Sequence, residues 1–589
     1  MTGRYTTERN VLLLIALLKK HNVRNIIVSP GTTNITFVES VCSDSFFRLI
    51  SSPEERSAAY MACGLAAETG QPVALSCTGA TASRNYIPAL TEAYYNKLPV
   101  LAITSSQHYG RIGNNHAQVI DRSKQLNDIC EYSIRIAQIN SEEDEWDCNL
   151  KINTALMKLR ANGGGPVHID LQTNYTNDFS HKKLPDVRCI KHVTYGDEIP
   201  KIRTNAVAIF VGAHLRWDSD LTRNVEEFCE KYNGAVICDH TSNYTGKYGV
   251  LLNLLTNQEK YILKLRNVDL VIDIGEVSGA YIGLKAKQVW RVSPDGRSKD
   301  RFHSLQYVFQ MDEHVFFELY CKKKEEVGPT QYYKEIKREL NRTQQMIPEI
   351  PFSNPWIASQ MAGRIPKGSR VHLGILNSLR SWNYYETDPS IRFYSNTGGF
   401  GIDGCVSALI GASLSDPKCL FFGIIGDLAF FYDMNSLGNE NVGKNLRILL
   451  VNNGCGTEFR NYNHLAMGLE SEVDAGKYIA AIGHYGKQSR QLVKHYVSDL
   501  GFEYLCAEDK NQFLSTIDKF VSKESDRPIV LEVFTDPKDE SEALYRLNHI
   551  LALPPTSGDK AKKVIKKVLG DETVRHIKRV IKRDDKRNV

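Results

Sequence analysis

Short apolar runs closed by glycine or a small polar turn alternate along this chain with stretches of helical period. That alternation predicts parallel sheets covered by helices. Residues 23–28 form a β-branched run ending at Ser29-Pro30-Gly31, and residues 72–77, 99–104 and 166–171 supply three more strands. Residues 206–211, 234–238, 268–274 and 288–292 continue the pattern among more polar helices. A third set comprises residues 371–376, the run FFGII at 421–425 and the run ILLV at 448–451. The apolar stretch 11–18 is too short to span a membrane and reads as a buried helix. The expected architecture is α/β: three doubly wound parallel-sheet domains at 1–182, 183–345 and 346–545, followed by a basic helical tail at 546–589.

Composition narrows this picture only slightly. With 589 residues, 42% of them hydrophobic and 24% charged, the chain has the balance of large soluble folds. The thirteen cysteines show no CxxC or zinc-type spacing, which suits a reducing cytoplasm. The net charge of +5 is misleading, because residues 560–589 carry twelve Lys/Arg against four Asp/Glu, or +8, and the other 559 residues sum to −3. Binding of nucleic acid is therefore not expected of the body.

The chemistry concentrates where the third set of strands ends. Gly426-Asp427-Leu428 closes one run, and Asn452-Asn453-Gly454-Cys455-Gly456, beginning 24 positions after Leu428, closes the next. Parallel sheets gather ligands at the carboxyl ends of their strands, so Asp427, Asn453 and the Cys455 carbonyl fall together. Too few for a closed protein cage, these oxygens suit Mg²⁺, which keeps water and phosphate in its octahedron. The complementary signal is Glu54-Glu55-Arg56-Ser57 opening a helix rich in small residues.

An apolar run, Gly-Asp, an interval and Asn-Asn resembles the diphosphate and metal motif of thiamine diphosphate enzymes, with Leu428 standing where the last glycine is usual. SPGTTN, EERSAAY, PVALSCTGATASRNYIPALTEAYY and LPVLAITS resemble the pyrimidine-binding domain of the same family. Within it the likeness is nearest to the SEPHCHC synthases of menaquinone biosynthesis, which add decarboxylated 2-oxoglutarate to isochorismate. The resemblance implies thiamine diphosphate and Mg²⁺ as cofactors and a carboligase or decarboxylase acting on a 2-oxo acid. It also implies a homodimer or homotetramer, because the pyrimidine domain of one subunit serves the diphosphate domain of another. Glu55 matches the glutamate that activates the aminopyrimidine, and burial against Ala58, Ala59 and Ala62 is expected to raise its pKa. Gln118 retains the family's residue, and His116 beside it is a further catalytic candidate. Asn377, Ser378, Gly426, Leu428 and Phe459 are expected at the cofactor, and Ile402 under the bend between its rings. The central domain carries Val211-Gly212-Ala213-His214 in place of GxGxxG and is expected to be structural.

The departures from the family are as informative. Arginines that clamp acidic substrates are replaced: Thr32 and Thr33 stand in SPGTTN, Gln107 in Ser106-Gln107-His108, Thr397 in Asn396-Thr397-Gly398, and Arg380 is displaced within Ser378-Leu379-Arg380-Ser381-Trp382. Each lost charged hydrogen bond is worth about 1.5–3 kcal/mol, so the substrates are expected to differ. Hydroxyls and amides there suit a sugar-like acceptor, with Glu458 as an added acid or base and His464 in a polar lid. The alternatives are the SEPHCHC synthase reaction, simple decarboxylation and a non-catalytic scaffold. In the tail, Val564, Ile565, Val568 and Leu569 recur at helical spacing among lysines, which admits peripheral contact with an anionic membrane face.

Overall fold

A computed structural model describes residues 4–204, 206–214, 217–280, 282–323, 331–468, 475–483 and 489–551. The basic tail lies outside the described residues. Two compact units are present, Met1–Arg203 with Asp269–Asp273 and Ala286–Tyr320, and Thr204–Val268 with Ile274–Lys285 and Cys321–Val589.

The first unit holds a six-stranded sheet of β1 (Asn25–Val28), β2 (Arg48–Ser51), β3 (Val73–Cys77), β4 (Val100–Ser106), β5 (Tyr132–Ile136) and β6 (Val167–Gln172). Its order is β2-β1-β3-β4-β6-β5 and every pairing is parallel. Strand order reverses between β1 and β3, the crevice where doubly wound sheets bind ligands. Helix Arg9–Lys20 covers one face, and Val11 to Leu18 are all buried in the core beneath it. Helix Glu55–Thr69 covers the other through Ala58, Ala59, Ala62 and Ala66, whose small side chains let the helix lie close to the sheet.

A seven-stranded sheet follows, built from β7 (Lys191–Thr194), β8 (Val207–Val211), β9 (Gly234–Cys238), β10 (Gly249–Leu251), β11 (Asn267–Ile274), β12 (Lys285–Val292) and β13 (Leu305–Gln310). Its order is β10-β9-β8-β11-β12-β13-β7. The segment after it contains an amphipathic helix, Gln331–Gln345, that buries Tyr332, Ile336 and Leu340.

In the second unit β14 (Arg370–Leu373), β15 (Arg392–Tyr394), β16 (Phe421–Gly426), β17 (Leu446–Asn452), β18 (Glu503–Ala507) and β19 (Ile529–Phe534) form another parallel sheet. Its order, β15-β14-β16-β17-β19-β18, repeats the topology of the first sheet strand for strand. The fold is thus three parallel α/β sheets, with the neighbouring strands β16 and β17 of the third leading directly to the predicted chemistry.

Candidate active site

The rim of the third sheet is assembled from three neighbouring strand ends. β16 stops at Gly426, and Asp427 opens the helix Asp427–Asp433, where an acidic side chain is favoured by the helix dipole. Asp427 is only 5% exposed. One carboxylate oxygen accepts from the Leu428 amide at 2.8 Å, and the other accepts from the Gly454 amide at 2.6 Å. The second bond ties the end of β16 to the loop after β17, and Gly454 makes it by turning to φ 70, a conformation that costs glycine little. Asn453 is half-buried in that loop and Cys455 is buried. The two asparagines have divided roles: the Asn452 amide donates to Glu532 on β19 at 2.7 Å, while Asn453 stands one residue further, beside the amide that holds Asp427. Phe459 lies across the loop, close enough to Gly456 that a Cβ there would meet its ring at 3.0 Å. His464 packs edge-on against Phe459 at 5.3 Å.

The end of β14 adds the other wall. Leu376, at φ 63, begins the helix Asn377–Trp382, and a bulky side chain in that region of backbone space marks local strain of the kind found at binding rims. Ser378 is buried and accepts from the Asn354 side chain at 3.3 Å. Arg380 makes a two-pronged pair with Glu458, both N···O distances being 2.9 Å. Burial opposes the Arg380 charge, but the hydrogen bonds and charge of Glu458 outweigh it and raise the guanidinium pKa. Glu458 was expected to act as an acid or base and Arg380 to touch substrate; in the structure they hold each other. Ile402 is half-buried, in a loop pinned by the Asn396 amide on the Asp403 carbonyl at 2.9 Å. Thr397 is buried with its methyl against Gly279, facing packed chain and not the open rim.

One rim residue leaves no signal in the sequence. Glu540, in a helix whose charge pattern reads as solvent-facing, is 5% exposed and accepts from the Asn354 amide and from Thr535 at 2.7 Å. Burial, reinforced by the charges of Asp539 and Asp427, pushes its pKa up to about 7 against its hydrogen bonds.

The first sheet presents a second rim. Glu54 caps helix Glu55–Thr69, accepting from the Arg56 amide at 3.1 Å and the Ser57 amide at 2.7 Å. Bonds from Ser57 and then Arg56 hold its carboxyl below the usual range. Capping thus occupies Glu54 and leaves Glu55, half-buried, with a long 3.5 Å contact from the Asn85 amide. Thr32 is exposed, whereas Thr33 is buried and bonded to Thr78 at 2.6 Å and to the Ser105 carbonyl at 3.2 Å. Gln107 accepts from Arg111, and His116 and Gln118 are exposed, Gln118 at φ 60. Beneath them is a network that sequence reading missed. Arg122, 3% exposed, donates to Asp170 at 2.6 and 3.1 Å, to the Ser105 carbonyl and to Ser83. Its guanidinium also underlies Gly79, where an added Cβ would meet the Gln118 carbonyl at 3.1 Å and Arg122 at 3.4 Å. A lone Arg in a polar loop carries no mark of burial, so only the fold reveals it.

Residues 11–126 match the family described as thiamine pyrophosphate enzyme, N-terminal TPP binding domain. Over nearly its whole length the chain is similar to 2-succinyl-5-enolpyruvyl-6-hydroxy-3-cyclohexene-1-carboxylate synthases. That of Bacteroides fragilis is 28% identical across 93% of this chain and 100% of the relative, and that of Bacteroides thetaiotaomicron 29% across 93% and 99%. A Flavobacterium johnsoniae relative of the same name is 26% identical across 90% and 97%. The chain is a thiamine diphosphate enzyme.

The rim fits the cofactor it implies. Thiamine diphosphate brings a diphosphate with a divalent metal, and a hard six-coordinate cation takes few protein oxygens when phosphate and water complete its shell. Asp427 is buried and its two oxygens are fixed by backbone amides. Asn453 and the Cys455 carbonyl would hold the same ion. Among the described residues no helix is long and apolar enough to cross a membrane.

Proposed function

We propose that this thiamine diphosphate enzyme uses Mg²⁺ to decarboxylate a 2-oxo acid and transfers the remaining unit to a neutral, polyhydroxylated acceptor such as a sugar. The observation that carries the metal-dependent part is the Asp427 carboxylate, buried at the carboxyl ends of parallel strands and held by the Leu428 and Gly454 amides. When bound, the cofactor supplies a carbon nucleophile that stabilises the charge left when CO₂ departs. The chain's own residues do the rest. Glu55 holds a proton at the aminopyrimidine, Phe459 and Leu428 shield the diphosphate loop from water, and Asn377 and Ser378 line its other side. Gln107 presents an amide where the related family has a guanidinium group, which supports a neutral acceptor. As in the family it resembles, at least two copies of the chain would act together.

A second reading, synthesis of 2-succinyl-5-enolpyruvyl-6-hydroxy-3-cyclohexene-1-carboxylate itself, is favoured by the names of relatives that cover over 90% of the chain. The deciding experiment supplies a panel of 2-oxo acids with thiamine diphosphate and Mg²⁺, with and without nucleotide sugars, and follows CO₂ release and product mass. Ligation to a sugar supports the first reading; turnover only of 2-oxoglutarate with isochorismate establishes the second. In either case Glu55→Gln is expected to keep cofactor bound while slowing exchange of its reactive C2 proton by about 10²–10⁴.

A further inference from the structure

The fork of Arg380 and the carboxylate of Glu458 come from different strand ends, the first after β14 and the second after β17, two strands apart with β16 and Asp427 between them. Their side chains are 27% and 22% exposed, so the pair is open to solvent on one side. Its remaining bonds are local: Arg380 donates to the Asn377 side chain at 3.1 Å, and the Asn461 amide donates to Glu458 at 3.2 Å. Planar guanidinium and carboxylate matched at two equal distances form the arrangement by which arginine recognises any carboxylate. Three residues separate Glu458 from Gly454, whose amide fixes Asp427, so this fork faces the same rim.

We infer that Glu458 is a built-in specificity determinant: it occupies the Arg380 fork and thereby excludes substrates that carry a second carboxylate at this end of the site. This rests on the proposed use of the rim by a cofactor and its substrates, and it adds the class of donor, a 2-oxo acid whose far end is uncharged. A pair serving only to staple two loops would stabilise them equally well but would leave no latent anion site when its acid is removed.

The test uses the full-length protein loaded with thiamine diphosphate and Mg²⁺, cofactor binding being measured first. Succinate and its uncharged-end analogue succinamate are then titrated by calorimetry into wild type, Glu458→Gln, Glu458→Asp and Glu458→Gln/Arg380→Gln. Wild type and Glu458→Asp should bind the two alike. Glu458→Gln should favour succinate by about tenfold or more, the worth of a charged hydrogen-bonded pair, and the double variant should lose that preference. Glu458→Ser replaces Glu458→Gln if the latter does not fold. A wild type that already favours succinate tenfold, or a folded, cofactor-bound Glu458→Gln with no preference, overturns the inference alone. Failure of wild type to bind the cofactor overturns the proposed function and the inference with it.

Discussion

The first and third sheets share one strand order, and even the same acid position: Asp170 is the fourth residue of β6 and Glu532 the fourth of β19. Each faces the fifth residue of its neighbour, Thr104 on β4 and Leu450 on β17. Yet Asp170 balances a buried guanidinium, whereas Glu532 is held by the Asn452 amide at 2.7 Å and the Tyr504 hydroxyl at 2.9 Å. The first rim invests its charges in its own scaffold and exposes Glu55 above it. In the third, Glu532 is held by neutral donors and Asp427 accepts from backbone amides, while charge is paired between Arg380 and Glu458. Topology therefore sets where the strand ends stand, and the few buried polar residues set how the charges of each rim are paired.

The sharpest break of this contrast is at Asp427. Asp427→Asn keeps the shape and one acceptor but removes the charge, and is expected to weaken Mg²⁺-dependent thiamine diphosphate binding by about 10³ or more. Calorimetry with and without Mg²⁺ checks it, and unchanged affinity would move the metal elsewhere. Next is Arg122→Met, which removes the hydrogen-bonded guanidinium from Asp170 at 1% exposure, leaving Arg135 at 3.7 Å, and should destabilise the first unit by about 3 kcal/mol. Hydrogen exchange of β4 and β6 should rise while β16 and β17 are unaffected.

Acid should expose a further difference. Burial is the main force pushing the His168 pKa down to about 4; the Asp170 charge opposes it, and Arg122, Arg84 and Arg135 reinforce it. The unfolded chain takes that proton near 6.5, so this contribution is full above 6.5 and is lost as pH falls towards 4, a span worth about 3 kcal/mol. Glu540 on the third rim has the opposite sign: raised to about 7, it contributes most below the ordinary glutamate range and loses its contribution as pH rises through about 7. Melting temperature between pH 4 and 7 should therefore fall less steeply in His168→Gln than in wild type; identical slopes would remove His168 from this role. The smallest effect is expected of Asn452→Leu, which leaves Glu532 its Tyr504 bond and should cost about 1–3 kcal/mol in the third sheet. A loss as large as that of Arg122→Met would erase the distinction between charged and neutral scaffolds.

Much of this was legible in the chain because inner strands of parallel sheets are continuous apolar runs. Residues 234–238 were read to the residue, and β1, β3, β4, β6, β8, β11, β16 and β17 within a few. The strands that escaped are chiefly edges with mixed burial, such as β2, β5 and β15, whose half-wet faces leave no run to see. β19 is different, a central buried strand whose run is broken by Glu532 and becomes readable only once Asn452 and Tyr504 are seen to satisfy that acid. The rim at Asp427 was visible because glycine and oxygen side chains punctuate strand ends. Arg122 and Glu540 were not, because a buried charge is defined by partners distant in sequence. Thr33 and Thr397, read as open to substrate, are packed away for the same reason.

Strand order also fixes when each rim can exist during synthesis. In both outer sheets the last strand made slips between two made earlier, β6 between β4 and β5, and β19 between β17 and β18. The acid arrives on that strand: until residue 170 has left the ribosome Arg122 lacks its counter-charge, and until residue 532 has left it Asn452 lacks its anchor. A one-residue slip on insertion would turn either acid to the wrong face, unpaired, at a cost of several kcal/mol. The same two side chains that separate the rims in the finished molecule thus favour one register of the final strand over its one-residue neighbours.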